Sequence, residues 1–222
     1  MKKFFLIAAL LILAPGGFAQ VTDFTVNNYS FETLPGNAIS SCGGSCVYEY
    51  GPIPGWNENN NNSGQQNITG YYGAASEPNP PAYDGTYFAF SNGGTISQTV
   101  SPTIVAGDTY DLQVAVLSRT DAPNDALVQL EIGNTVVATA PTTGTNYSGT
   151  WSLENAVFTA NAGEAGQQLT ILLSSSGVQG GFDDVTLTAV PEGGASSLYV
   201  LLAGLCCFGA IFASRKQFPG RA

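Results

Sequence analysis

Thr109–Leu117, TYDLQVAVL, alternates without a break and places Tyr110, Leu112, Val114 and Val116 on one face. A period of two is the signature of a strand with one side in a core. The pattern recurs downstream. Val128, Leu130 and Ile132 form an inward set opposed by Leu127, Gln129 and Glu131, and Gly133-Asn134 turns the chain into Thr135–Thr139. Further strands are expected over 150–159, 168–173 and 181–187. Upstream, 86–91 and 95–100 are predicted to pair as a hairpin across Asn92-Gly93-Gly94, because Asn and Gly tolerate positive φ. The stretch between the termini shows no helical stripe. Many short strands separated by Gly, Asn, Asp and Pro predict an all-β sandwich, a jelly roll.

Composition narrows what such a domain can do. The 222 residues hold 6 Lys+Arg, 16 Asp+Glu and no histidine, for a formal charge of -10; the apolar fraction of 44% suffices for a core. Without histidine, Ser-His-Asp and Cys-His hydrolases in their usual form and His-ligated zinc or haem are excluded. The acidity argues against nucleic acid, whose phosphates need Lys and Arg.

The ends read as targeting segments. Lys2-Lys3, an apolar run from Phe4 to Ala14 and small residues up to Ala19 predict a signal peptide over 1–19. At the other end, Val190-Pro191-Glu192-Gly193-Gly194 precedes an apolar span over 195–213, long enough to cross a bilayer, and then Arg215-Lys216. This three-part tail over 190–222 resembles the PEP-CTERM class of sorting signals, with Gly193 where the common form has a second proline. The resemblance implies an exosortase-type processing enzyme as partner and a host that makes extracellular polysaccharide. The protein is then expected to be exported and held at the inner membrane at least transiently. Its later destination would be the cell surface or matrix.

Between the ends, residues 20–189 carry eight Asp and seven Glu against Arg119 alone. Cys42 and Cys46 bracket Gly43-Gly44-Ser45 and are expected to form a disulfide in an oxidising compartment, a two-thiol metal site being the rival. Cys206 and Cys207 sit in the apolar tail as small residues or acylation sites. The segment from Pro52 to Pro81 breaks the strand rhythm with Trp56, the amide-rich run 57–66, and Tyr71-Tyr72. Trp56, Tyr71, Tyr72 and Tyr83 are candidates for stacking on sugar rings; packing in the core is the competing role, above all for Trp56.

The first strand is expected to hold Asn28-Tyr29-Ser30-Phe31-Glu32 and the last Phe182–Val185; if these terminal strands meet, Glu32 with Asp183, Asp184 or both, and backbone carbonyls, forms a candidate calcium set. An Asp pair on a strand needs a reason, since alternation aims one of the two inward. Solvated edge carboxylates are the alternative.

Asn28-x-Ser30-Phe31-Glu32, Pro54-Gly55-Trp56, Asp84-Gly85-x-Tyr87, Ile96–Val100 and Phe182–Val185 fall in an order that resembles the galactose-binding-like jelly roll of many carbohydrate-binding modules. That resemblance implies a structural calcium between the first and last strands, on Glu32 with Asp183 or Asp184. Ile96-Ser97-Gln98, with Arg119 after the long strand, also resembles the cyanobacterial indole-alkaloid cyclases, calcium-containing jelly-roll enzymes that start a rearrangement with a carboxylic acid. That second resemblance implies Asp183 or Asp184 as the acid, raised in pKa by an apolar pocket.

The exported context favours a non-catalytic surface or matrix protein that binds carbohydrate. The alternatives are an architectural matrix protein without a small ligand, and a jelly-roll enzyme, glycosidase or cyclase-like, working through carboxylates.

Overall fold

In the computed structural model, residues 20–36, 40–43, 46–59, 63–67, 80–118, 126–140, 149–176 and 179–191 are described. The expected signal peptide 1–19, the span 195–213 with Cys206 and Cys207, and Glu192, Tyr71, Tyr72 and Arg119 all lie outside the described residues. So do the side chains of Cys42 and Cys46. Among the described residues no helix is long and apolar enough to cross a membrane.

The strands in chain order are β1 (Thr22–Asp23), β2 (Ser40–Gly43), β3 (Cys46–Tyr50), β4 (Asn57–Glu58), β5 (Ser63–Asn67), β6 (Phe88–Ser91) and β7 (Thr95–Thr99). After them come β8 (Thr109–Ser118), β9 (Leu127–Ile132), β10 (Thr135–Thr139), β11 (Thr150–Thr159), β12 (Leu169–Ser174) and β13 (Gly180–Val190). They form two antiparallel sheets. The larger runs β11-β8-β13-β6-β5-β3-β2, with β1 also on β13; the smaller runs β10-β9-β12-β7-β4. The fold is an all-β sandwich.

The inward sets read from the alternation are in the core. Tyr110, Leu112, Val114 and Val116 of β8 are buried, as are Val128, Leu130 and Ile132 of β9 and Leu169, Ile171 and Leu173 of β12. β9 and β10 form the expected hairpin through Gly133-Asn134.

The hairpin expected across Asn92-Gly93-Gly94 does not form. β6 lies in the larger sheet between β13 and β5, while β7 lies in the smaller sheet between β12 and β4. The reason is pairing capacity: both edges of β6 are already occupied, so the turn must carry the chain across to the other sheet. Ser91 Oγ accepts from Gly94 N at 3.0 Å, and Ser175 Oγ accepts from Gly93 N at 2.8 Å, fastening this crossover.

Asn28–Glu32 is likewise a turn, and only Thr22–Asp23 pairs as a strand, with Thr188–Ala189 of β13. Asn28 (φ 49) and Phe31 (φ 55) are in the left-handed region, which ends strand geometry. The Asn28 side chain accepts from Thr33 N at 2.9 Å and donates to Pro54 O at 3.1 Å. Buried Gln98 ties this turn to the smaller sheet. Its Oε1 accepts from Asn27 N at 2.8 Å, and its Nε2 donates to Asn27 O and Gly55 O at 3.0 and 2.9 Å. Trp56 is only 6% exposed, packs on Phe31 at 5.3 Å, and donates its indole N–H to Asn28 O.

Gln98→Leu keeps the volume but leaves the Asn27 amide and two carbonyls without partners. Each orphaned buried group costs about 1–3 kcal/mol. Denaturant unfolding of this variant should show a loss of at least ~2 kcal/mol with an unchanged m-value.

Candidate active site

One face of the larger sheet looks into the sandwich; the other should be wet. Yet on β8 the outward residues Ala115 and Leu117 are 0% and 1% exposed. Something covers that face, and the residues responsible define the candidate site.

The last strand shapes it. In the β13–β8 ladder Asp183 opposes Ala115 but Thr186 opposes Gln113, so β13 carries one extra residue there. That residue is Asp184, at φ 47. A bulge of this kind re-aims neighbouring side chains and lets one residue leave the ladder. It resolves the Asp pair: Asp183 shares the outward face with Gly181, Ala115 and Leu117, Asp184 is the half-buried extra residue, and Val185 returns to the core. The Val185 amide donates to Tyr29 O at 3.0 Å instead.

Asp183 is 0% exposed. Its Oδ2 accepts from Asp84 N at 2.9 Å and its Oδ1 from Asp184 N at 2.8 Å. Burial pushes its carboxyl up to about 7; the amides of Asp84, Asp184 and Tyr83 pull the other way, and the charge of Asp84 adds to the rise. Burial also raises Asp184, helped by the charge of Asp84.

The segment over Asp183 is itself pinned by a second carboxylate. Glu32 Oε1 accepts from Thr86 N and Tyr87 N, each at 2.7 Å. Gly85 (φ 72) makes the close approach possible, since a Cβ there would sit 2.6 Å from Glu32 Cδ. Glu32 and Asp183 thus grip the same five residues, 83–87, from opposite ends.

Aromatic rings extend from this point across the face. Tyr83, 44% exposed, meets Trp151 edge-on at 6.2 Å, and Trp151 meets Phe88 at 5.2 Å. The Trp151 N–H donates to Pro81 O at 2.8 Å. Ala82, Phe88, Leu117 and Trp151 form a hydrophobic cluster separate from the main core. Farther along, Phe90 meets Tyr50 at 5.5 Å, and Tyr50 meets Tyr48 at 5.5 Å. A carboxyl that keeps its proton, set beside aromatic rings, can deliver a proton and favour the cation that results.

Of the residues singled out in the sequence, Tyr83, Asp183 and Asp184 come together here with Glu32 at the base of the covering segment, while Trp56 belongs to the core. No three Asp, Glu, Cys or His side chains among the described residues converge as a metal-holding group. Glu32 Oε1 and the two Asp183 carboxylate oxygens accept backbone amides in this arrangement. Cys42 and Cys46 fall on the paired strands β2 and β3. Trp151, Phe88, Leu117 and Ala115 were not anticipated as site residues. The available signal was the pair of apolar residues, Ala115 and Leu117, on the face of β8 that alternation should have left polar.

The raised carboxyl has a stability consequence whose sign is fixed. Asp183 holds its proton to about 7 when folded but ionises near 3.8 when unfolded, so the unfolded state binds fewer protons between those values. Stability should be greatest below about pH 4 as far as this group is concerned, fall as pH rises to 7, and level off above. Thermal melts across pH 4–8 should show this decline, and Asp183→Asn should flatten it whatever its own stability.

The family described as HpiC1 cyclase, HpiC1-like, matches residues 22–188. A Stig cyclase, Fisc, from Fischerella sp. TAU in complex with (3Z)-3-(1-methyl-2-pyrrolidinylidene)-3H-indole is 20% identical with a TM-score of 0.61, over 78% of this chain and 99% of that one. A cyclase from Fischerella sp. TAU in complex with 4-(1H-indol-3-yl)butan-2-one is 20% identical with a TM-score of 0.60, over 77% and 98%. At this identity the likeness is one of fold, a jelly-roll-like sandwich. The CBM22-1 xylan-binding domain from Paenibacillus barcinonensis Xyn10C, at 11% identity over 79% of this chain and 98% of that one, reaches a TM-score of only 0.42 and bears on nothing. No protein of curated function matches the chain.

Two expectations are corrected by the family match. The PEP-CTERM surface protein with a carbohydrate-binding module gives way to a family of cyclases, and the non-catalytic reading gives way with it. The Val190-Pro191-Glu192 motif also has a plainer local role, because Val190 is the last rung of β13, paired with Thr109. With a match spanning residues 22–188 of 222, the chain belongs to the HpiC1-like cyclase family.

Proposed function

We propose that this protein is a cyclase that starts its reaction by proton transfer from Asp183 to an unsaturated apolar substrate. The observation that carries the reading is the buried Asp183 carboxyl, which holds its proton to about 7 on an aromatic-lined face. An acid near the working pH combines a populated protonated form with a usable driving force for transfer.

The steps balance without any further reactant. The Asp183 carboxyl gives its proton to a carbon–carbon double bond, leaving a carbocation on the substrate and a carboxylate on the enzyme. A second π-bond of the substrate attacks the cation and closes a ring. Loss of a proton from the cyclised cation to the waiting carboxylate restores Asp183, so the product is an isomer of the substrate. Trp151, Tyr83 and Phe88 offer ring faces and edges beside the path of the positive charge. Asp183 is sealed in this state, so the backbone of Tyr83-Asp84 has to lift for a substrate to reach it.

An indole bearing an unsaturated side chain is the substrate class we favour. Indole compounds are bound in the Fischerella cyclases of the same fold, and an indole supplies the electron-rich ring that would trap a cation.

The test is a set of point variants assayed on indoles with alkene side chains, with 4-(1H-indol-3-yl)butan-2-one as a binding probe. Asp183→Asn should lower turnover at least ~100-fold while changing probe affinity less than about threefold. Wild-type turnover should fall as pH rises through about 7. Asp184→Asn should cost less than about tenfold. Full activity in Asp183→Asn, or a flat pH profile, would remove the acid from the mechanism.

Trp151→Ala should weaken probe binding by ~1–3 kcal/mol if the ring lines the path, read by calorimetry.

A further inference from the structure

Asp84-Gly85 and Asn92-Gly93 are the only Asp-Gly and Asn-Gly pairs in the chain, and the fold treats them oppositely. Both are open to one reaction, in which the backbone nitrogen of the glycine attacks the side-chain carbonyl carbon of the residue before it. A glycine carries no Cβ to obstruct that approach. In an unfolded chain the asparagine reacts faster, because a neutral amide carbon takes up a nucleophile more readily than a carboxylate does.

Folding changes which nitrogen is available. The Gly93 N–H donates to Ser175 Oγ at 2.8 Å, and that hydroxyl donates in turn to Ser91 O at 2.7 Å, so this nitrogen is fixed in the crossover between the sheets. Asp84 and Gly85 are both exposed. Among the described residues nothing accepts from the Gly85 N–H and nothing donates to the Asp84 carboxylate. Asp183 and Glu32 grip only the amides on either side, those of Asp84, Thr86 and Tyr87.

We propose that Asp84 is a site of spontaneous isoaspartate formation, and that the modification unfastens the segment over Asp183. Gly85 N forms a bond to Asp84 Cγ, and the proton of that nitrogen leaves with the carboxyl hydroxyl as water, closing a succinimide ring. Water then adds back. Opening at the side-chain carbonyl returns aspartate; opening at the α-carbonyl leaves the chain running through Cγ as isoaspartate. Nothing is oxidised or reduced. The backbone is then one methylene longer between the Asp84 and Thr86 amides, which are fastened to different elements, Asp183 on β13 and Glu32 in the turn before β2. One of the two grips has to yield.

The test is incubation of the full chain at pH 6 and 37 °C in heavy-oxygen water, folded or in urea, followed by mass spectrometry with electron-transfer fragmentation. In the folded chain isoaspartate should build up at residue 84 at least ~10-fold faster than any conversion at residue 92, where reaction waits on local opening. In urea the order should reverse. Each passage through the ring should bring one heavy oxygen into residue 84, and endoproteinase Asp-N should cease to cut before it. Asp84→Glu should take up none there, because its longer side chain closes the larger glutarimide ring far more slowly. The modified chain should melt several degrees below the fresh one, having lost backbone hydrogen bonds. Conversion at Asn92 with residue 84 intact in the folded chain overturns the proposal. So does a folded chain intact at residue 84 when the chain in urea has converted there, or a modified chain that melts unchanged.

Discussion

A carboxyl group buried beside hydrocarbon must either be met by donors or keep its proton, and Asp183 does both. Three backbone amides converge on it, yet burial outweighs them and holds its pKa near neutrality. This balance depends on the peptide segment 83–87 being where it is. Glu32 secures that segment from the other side through Thr86 N and Tyr87 N, and Gly85 gives the backbone room to approach. Displacing the segment would remove two of the amides from Asp183, remove Tyr83 from Trp151, and admit water to the carboxyl together.

The bulge at Asp184 is the covalent root of this arrangement. Without the extra residue, β13 would keep strict alternation against β8, and Asp183 and Val185 would share one face. With it, Asp183 faces outward under the covering segment and Val185 returns to the core. The left-handed conformation of Asp184 is the local cost, tolerable because Asp is among the few residues that visit that region. An Asp pair that looks anomalous in a strand is thus one buried carboxyl and one residue that makes its placement possible.

Much of the sandwich was legible because burial leaves a period in the chain. Tyr110 to Val116 and Val128 to Ile132 announce their faces residue by residue, and Gly133-Asn134 announces its hairpin. The errors share a cause. Asn92-Gly93 carries a hairpin's local chemistry, but whether β7 can pair with β6 depends on which strands already flank β6, and those come from residues far away in the chain. Trp56 with its amide-rich neighbours has the composition of a sugar site, while its burial against Phe31 follows from a turn that Asn28 and Gln98 build from distant parts of the chain. Nothing near Trp151 in the sequence marks a site; its place in the cluster comes from Phe88 and Pro81, more than sixty residues earlier.

By itself the sequence determined the all-β class, the strands of the core, the absence of histidine chemistry, and the carboxylates as the groups able to do acid work. Those properties follow from residue type and short-range period, which are local. Only the tertiary structure decided which carboxylate is buried with a raised pKa, since that rests on Asp183 being sealed by a segment about a hundred residues away. It likewise decided that Glu32 grips amides at the base of the site, and that the Gly93 amide is engaged while that of Gly85 has no partner among the described residues. A pKa and an unmet hydrogen bond are properties of surroundings, and surroundings exist only once the chain has folded.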